Sequence, residues 1–256
     1  MTWILDCDGV IWLADDPIPG AADAVRRLRA GGTRVVFLTN NSYPTRAEHL
    51  AKLERMAMAS DPSDLITSSM AAAALLEPGE RALMLGGPGI REALEARGVE
   101  AVEPGSVQGE EGFDAVVVGF DLGFDFSRLA AAATALRAGA RLIATNDDAT
   151  FPTSSGLLPG AGSFVAAVAT AGGATAEVAG KPFGPVVDLV RRTLGPVEVV
   201  VGDRPSTDGK LAERLGAKFA LVLTGVTLRG HAPVEPEPAV EADDLAAVVG
   251  RLAPRR

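Results

Sequence analysis

Seven continuous apolar runs recur along the chain: Trp3–Leu5, Arg34–Leu38, Arg81–Leu85, Asp114–Val118, Arg141–Ala144, Val197–Val201 and Ala220–Leu223. None alternates polar with apolar residues, so each predicts a strand covered on both faces, as in a parallel sheet. Between them the spacing predicts helices over Ala21–Ala30, Arg46–Met58, Ile90–Arg97, Phe126–Ala138, Gly162–Ala171 and Gly184–Leu194. Several of these are followed by glycine (Gly31, Gly98, Gly139, Gly172, Gly195), the residue that tolerates the left-handed turn closing a helix. Strand–helix alternation of this kind predicts an α/β, doubly wound, Rossmann-like parallel sheet. Pro233–Pro238 reads as a linker before a last helix near Asp244–Leu252.

Composition narrows the possibilities. The 256 residues are 47% apolar and 22% charged, which is globular. No apolar stretch approaches the roughly 18 residues of a membrane span. Met1–Asp6 reaches a carboxylate without a basic region, so no secretory signal is read and a cytoplasmic protein is expected. The formal net charge of −9 disfavours nucleic acid or an anionic membrane as a partner. One cysteine and two histidines leave no multi-cysteine metal site and little scope for zinc. Any chemistry therefore rests on carboxylates, hydroxyls, amides and four lysines.

Ligands of doubly wound sheets sit at the carboxyl ends of strands. Asp6-Cys7-Asp8-Gly9 comes after the first run, and Thr39-Asn40-Asn41-Ser42 after the second. Gly180-Lys181-Pro182 comes after a short run at Glu177–Ala179, and Gly202-Asp203-Arg204 leads on to Thr207-Asp208. Asp6 and Asp8, two apart on extended backbone, leave on one face, where both stay ionised only beside a cation or strong donors. A hard divalent ion, with Asp203 as a third oxygen donor, answers that need, and Mg²⁺ suits the set. Lys181 precedes the predicted helix at Gly184–Leu194, where an anion held between the ammonium and the helix amides offsets an unfavourable dipole. Thr39–Asn41 also reads as a helix-start turn, because Thr45–Glu48 carries a capping-box pattern.

Other motifs fail. Gly180-Lys181-Pro182 lacks the hydroxyl and glycine spacing of a P-loop. Gly86–Gly89 lacks the last glycine of a dinucleotide fingerprint and reads as a tight turn. Cys7 sits between two carboxylates that raise its pKa. No Gly-x-Ser-x-Gly elbow occurs. His49 and His231 are expected at the surface.

The ordered set Asp6–Val10, Leu38–Ser42, Gly180–Pro182 and Val201–Asp208 resembles the haloacid dehalogenase (HAD) superfamily of phosphatases. Pro17–Ala21, Ala144–Asp147, Leu158–Gly162 and Leu223–Val226 are similar to its subfamily IIA, the NagD-like and phosphoglycolate or 4-nitrophenyl phosphatases. The resemblance implies a discontinuous core, 1–77 and 178–256, with an α/β cap of the C2 type over 78–177. It implies Asp6 as the nucleophile that forms an aspartyl-phosphate and Asp8 as general acid, then base. It places Mg²⁺ on Asp6, the Asp8 carbonyl and Asp203, with Asp208 in support. Thr39 and Lys181 would grip the phosphoryl group, with Gly9, Asn40 and Asn41 beside it. Asn146 and Asp147 are expected to brace the cap, and Arg204 either biases the substrate or faces solvent. The implied partner is a small phosphorylated metabolite of the phosphoglycolate, glycerol phosphate or sugar phosphate type, with a homodimer through the cap as a further expectation. The alternative is a noncatalytic phosphate-responsive switch or binding protein on the same core.

Overall fold

The computed structural model describes residues 1–106, 112–153, 156–230 and 232–253. The chain opens with β1 (Thr2–Leu5), a hairpin of β2 (Trp12–Leu13) and β3 (Asp16–Pro17), α1 (Ala21–Ala30) and β4 (Arg34–Thr39). It continues through α2 (Arg46–Arg55), β5 (Leu65–Thr67) and α3 (Ser68–Ala73). The next stretch holds β6 (Arg81–Leu85), α4 (Pro88–Ala96), β7 (Glu100–Val102), β8 (Ala115–Val118) and α5 (Phe126–Arg137). After these come β9 (Arg141–Ala144), the hairpin β10 (Thr150–Thr153) and β11 (Gly156–Pro159), α6 (Ala161–Gly172) and β12 (Glu177–Val178). The chain then closes with α7 (Gly184–Leu194), β13 (Val199–Gly202), α8 (Lys210–Leu215), β14 (Lys218–Val222), β15 (Val240–Ala242) and α9 (Leu245–Leu252).

Two parallel sheets result. The larger has the order β15-β14-β13-β1-β4-β5, the smaller β12-β9-β8-β6-β7. In the larger sheet the winding runs outward in both directions from β1, so β1 and its neighbours flank the switch point where parallel sheets bind ligands. The continuous apolar runs are explained by burial on two faces. Ile4, Val36, Leu38 and Val200 pack with the helical layer α3 and α7. Trp3, Leu5, Val35, Phe37, Val199 and Val201 pack with α1 and α9 on the other side. The α3–α7 layer also meets Ala82, Met84, Val117 and Ile143 of the smaller sheet, making one apolar cluster across both. The outer face of the smaller sheet is closed by α5 and α6.

The tight turn expected at Gly86–Gly89 is the start of a helix, with Gly87 as N-cap and Pro88 in the first turn. Gly89 lies so close to the main chain that a β-carbon there would stand 2.1 Å from the Pro44 carbonyl oxygen. The expected helix from Arg46 ends at Arg55, and its capping box on Thr45 and Glu48 is formed. β15 extends the larger sheet just after the predicted linker, where the Ala239 N–H donates to the Phe219 carbonyl.

A further expectation is corrected. His49 is buried, not superficial: it sits on the inner side of α2 with Nε2 3.3 Å from the Asn41 carbonyl oxygen. Burial holds its pKa below the ordinary imidazole value. His231 lies outside the described residues.

This packing makes two residues open to test. Gly89→Ala should lower the unfolding free energy by about 1–3 kcal/mol, since backbone must move, and an unchanged urea midpoint would show that the Pro44 segment yields freely. For His49 the unfolded chain gains a proton near about pH 6.5, whereas the folded chain does so only at lower pH. Its stabilising contribution is therefore complete above that value and declines as pH falls toward the folded pKa. Unfolding free energy of His49→Gln should fall less steeply than that of the parent between about pH 7 and about pH 5. Equal slopes would remove His49 from the acid response.

Candidate active site

The carboxyl ends of β1, β4 and β13 and the loop after β12 converge on one cavity of about 170 Å³. Its lining includes Asp6, Asp8, Thr39, Asn40, Asn41, Lys181 and Asp203 of the expected set. Parallel register makes this convergence geometric. Leu5 lies level with Val201 on one side and Phe37 on the other, so the residues just past each strand meet at the same height. The Asp6 N–H is anchored to the Val201 carbonyl at 2.9 Å.

Lys181 is buried, and its ammonium lies 2.7 Å from Asp6 Oδ1 and 2.7 Å from Asp208 Oδ1. Asp208 is fully buried, brought beneath Asp203 by a π-helical turn at Pro205–Gly209. Its Oδ2 accepts from the Arg204 N–H at 3.2 Å. Asp203 Oδ2 accepts from the Val226 N–H at 2.5 Å. One oxygen from each of Asp6, Asp203 and Asp208 lies within 4.8 Å of the others. Three carboxylates thus crowd one ammonium, which pairs with two of them. Burial pushes Asp6 well above the usual carboxylate range; Lys181 opposes this, while Asp208 and Asp203 add to it. Asp203 is pushed up to about 6 by burial and the Asp208 charge. Burial works against the Lys181 ammonium, yet Asp208 and Asp6 hold its pKa above the ordinary lysine value.

These shifts mark negative charge that the chain does not itself compensate. Asp6 Oδ2 and Asp203 Oδ1 accept no hydrogen bond from the described residues. A hard oxygen set with two such atoms on the cavity fits a divalent cation. Gly9 has φ +80° and must be glycine on space as well, since a β-carbon there would stand 2.5 Å from Asp203 Oδ2. Cys7 behaves as expected: burial first, then Asp6 and Asp8, pushes its thiol well above the usual range.

The loop after β4 is fixed by its own polar groups. The Asn41 N–H donates to Thr39 Oγ1 at 3.0 Å, and the Tyr43 N–H donates to Asn41 Oδ1 at 3.1 Å. Asn40 is a hub. Its Oδ1 accepts from the Lys181 N–H at 2.8 Å, and its Nδ2 donates to Asp148 Oδ2 at 3.0 Å and to the Lys181 carbonyl at 3.2 Å. The Asn40 carbonyl accepts from Ser68 Oγ at 2.7 Å and from Asn146 Nδ2 at 2.8 Å. Asn146 therefore ties the smaller sheet to this loop, while Asp147 is exposed and does not line the cavity.

Four residues are absent from the expected set. Trp12 donates its indole N–H to Asp8 Oδ1 at 2.9 Å, with the Lys52 ammonium 4.4 Å from its ring centroid. Asp148 pairs with Arg204 at 2.8 Å. Phe120 and Phe151 form an apolar wall, with ring centroids 5.3 Å apart. Trp12 stands in the sequence four residues after Asp8, an amphipathic ring beside a carboxylate. The others meet the site only through long-range packing.

Comparison with known proteins agrees with this architecture. A family model described as haloacid dehalogenase-like hydrolase matches residues 3–100, and one described as HAD-hydrolase-like matches 178–248. The chain is 36% identical to human glycerol-3-phosphate phosphatase over 90% of its own length and 80% of that protein's. It is 33% identical to the 5'-nucleotidase YutF of Bacillus subtilis over 94% of each chain. The glycerol phosphate phosphatase of Mycobacterium tuberculosis, solved in complex with magnesium, superposes with a TM-score of 0.84 at 36% identity, over 95% of this chain and 75% of that one. Likeness in both sequence and fold extends across the larger sheet and the segment inserted within it, and the chain belongs to the haloacid dehalogenase-like hydrolase family.

Proposed function

We propose that the protein is a Mg²⁺-dependent phosphatase of small phosphomonoesters such as glycerol phosphate, with residues 78–177 as a cap over a core of 1–77 and 178–256. The observation that carries this reading is the meeting of Asp6, Asp8, Thr39, Lys181 and Asp203 at one cavity. Asp6, Asp203 and the Asp8 carbonyl would hold the divalent ion, which supplies charge neutralisation at the transferring phosphoryl group. Asp208 steadies that set by fixing Lys181 and the Arg204 backbone.

Asp6 attacks phosphorus, the bond from phosphorus to the ester oxygen breaks, and an aspartyl-phosphate forms. Asp8 gives its proton to the departing oxygen, then takes one from the water that hydrolyses the acyl phosphate. Thr39 and Lys181 hold the phosphoryl oxygens, the ammonium serving as a fixed charge that needs no reorganisation during transfer. Gly9, with the loop backbone at Asn40 and Asn41, borders the phosphoryl position. The Asn40 side chain acts as a brace, since its amide is already held by Lys181 and Asp148. The Trp12 N–H points the Asp8 carboxyl, and the hairpin that carries Trp12 leads straight on from the nucleophile loop.

The direct test is phosphate release from glycerol 3-phosphate and 4-nitrophenyl phosphate with Mg²⁺ or with EDTA. Release should require the metal and fall by at least about a thousandfold in Asp6→Asn. The variant should fold and melt near the parent, because it removes one charge from a crowded acidic set. Parent-like turnover in Asp6→Asn would remove Asp6 as nucleophile. Trp12→Phe keeps an aromatic ring but loses the donor. Its kcat/KM should drop about tenfold more for glycerol 3-phosphate, whose leaving oxygen needs a proton, than for 4-nitrophenyl phosphate. Equal losses on the two esters would confine Trp12 to packing.

A further inference from the structure

Resting on the phosphatase reading, we infer that Lys52 is a positioning residue for the proton-transfer step: its ammonium, set over the Trp12 ring and tied to the hairpin turn, fixes the indole N–H that orients Asp8.

Three parts of the chain meet here. Asp8 lies in the loop after β1, Trp12 in the first strand of the β2–β3 hairpin, and Lys52 in the last turn of α2. The Trp12 indole N–H donates to Asp8 Oδ1 at 2.9 Å, and the Lys52 ammonium stands 4.4 Å from the centroid of the same ring. Lys52 Nζ also donates to the Ala14 carbonyl at 2.5 Å, in the turn of the hairpin. One ammonium thus holds both the ring and the turn. Its contact with Asp15 at 3.4 Å adds little, because that carboxylate is fully exposed.

Backbone bonds alone leave the ring undetermined. The Trp12 N–H donates to the Cys7 carbonyl at 3.3 Å, and the Trp12 carbonyl accepts from the Gly9 N–H at 2.8 Å, so the main chain is locked to the nucleophile loop. Those bonds do not set the side-chain torsions. Packing with Leu5, Ile11 and Ile18 buries the ring, yet apolar contact is non-directional and does not choose where the N–H points. The ammonium does choose. A cation is attracted to the face of an indole, so a charge anchored on Ala14 defines the plane in which the N–H must lie. It also draws electron density from the ring, which strengthens the N–H as a donor to Asp8. The Lys52 side chain is only 20% exposed, so water screens this attraction incompletely.

The anchor is itself held on both sides. Ala14 has φ +49°, a left-handed conformation that a residue with a β-carbon adopts at a cost, and the Lys52 bond to its carbonyl favours that turn. On α2, His49 stands one turn before Lys52 and places Nε2 3.3 Å from the Asn41 carbonyl oxygen. The helix that meets the β4 loop at Asn41 therefore also fixes the direction of the proton donor.

The test measures kcat/KM, which covers the steps up to departure of the ester oxygen, for glycerol 3-phosphate and 4-nitrophenyl phosphate with Mg²⁺-loaded protein. Lys52→Met keeps the apolar stem and removes the charge. It should lower the ratio of the glycerol ester to the nitrophenyl ester by about threefold, because only the former needs the Asp8 proton on its leaving oxygen. Lys52→Arg keeps a cation for the ring and should stay closer to the parent. In a Trp12→Phe background, Lys52→Met should change the ratio by less than about 1.5-fold, since its effect runs through the indole N–H. A readout independent of turnover is the indole N–H region of the proton NMR spectrum. The chain has two tryptophans, so the Trp12 resonance is the one lost in Trp12→Phe. In Lys52→Met it should move upfield and exchange with deuterium faster, while the Trp3 resonance stays in place. Equal losses on the two esters, as for a residue that only steers phosphate or stabilises the fold, would overturn the inference. Full additivity with Trp12→Phe, or an unmoved Trp12 resonance, would overturn it too. No phosphate release from either ester by the folded, Mg²⁺-loaded parent would instead overturn the phosphatase reading, and the inference with it.

Discussion

A single buried ammonium shared between two carboxylates sets the terms for the rest of the site. Lys181 holds Asp6 and Asp208 at equal distance, 2.7 Å, while Asp203 crowds the same space. Burial makes every one of these charges expensive, and removing the ammonium would leave both carboxylates unpaired. The chain accepts that cost because the backbone supplies what compensation it can. The Cys7 N–H reaches Asp6, the Arg204 N–H reaches Asp208 and the Val226 N–H reaches Asp203. The shortfall of positive charge that remains is functional in the proposed chemistry, since it is what a divalent ion would fill.

That constraint explains why the loop after β4 is so heavily bonded. Lys181 reaches the cluster from the segment that links the two sheets, so its backbone must be placed by something outside its own element. Asn40 does this by bonding both the N–H and the carbonyl of Lys181. The same residue receives Asn146 and Asp148 from the smaller sheet. Position of the ammonium, the β4 loop and the Asp148 side of the cavity are thereby one problem with one solution, and the apolar α3–α7 layer behind them holds both sheets to it.

Elements whose signal is local are legible in the sequence. The long two-sided strands read directly as apolar runs, and the capping box at Thr45 announces the start of α2. The residues just past each run reveal the strand-end carboxylates, because parallel register aligns those ends. Short elements escape: β5, β15 and α3 have three, three and six residues, too few for periodicity to rise above composition. His49 reads as superficial because α2 is mostly polar, with His49 and Leu53 its only buried residues, so its inner face carries almost no hydrophobic stripe. Asp148 is invisible as a site residue for another reason. Its partners Asn40 and Arg204 lie 108 and 56 positions away, and neither spacing carries a local signature. The aromatic wall is equally hidden, because Phe120 follows β8 while Phe151 lies in the β10–β11 hairpin, and only tertiary packing brings the two rings together.

The cavity divides into two ends with different physics. At the end nearest the larger sheet, charge dominates: acidic oxygens, one ammonium and a place for a hard cation, set at or just beyond strand termini. A dianionic phosphate cannot approach that acidic set favourably until a cation is there, so metal and phosphate binding reinforce one another whatever the ester. At the end lined by Asp148, Phe120 and Phe151, Arg204 is paired within the protein by Asp148, and shape and apolar contact remain. The first end suits a group common to all phosphomonoesters, and the second a group that differs among them. A scaffold that keeps the two apart can change its substrate by altering a few residues at the second end while leaving the buried cluster, with its unforgiving electrostatics, untouched.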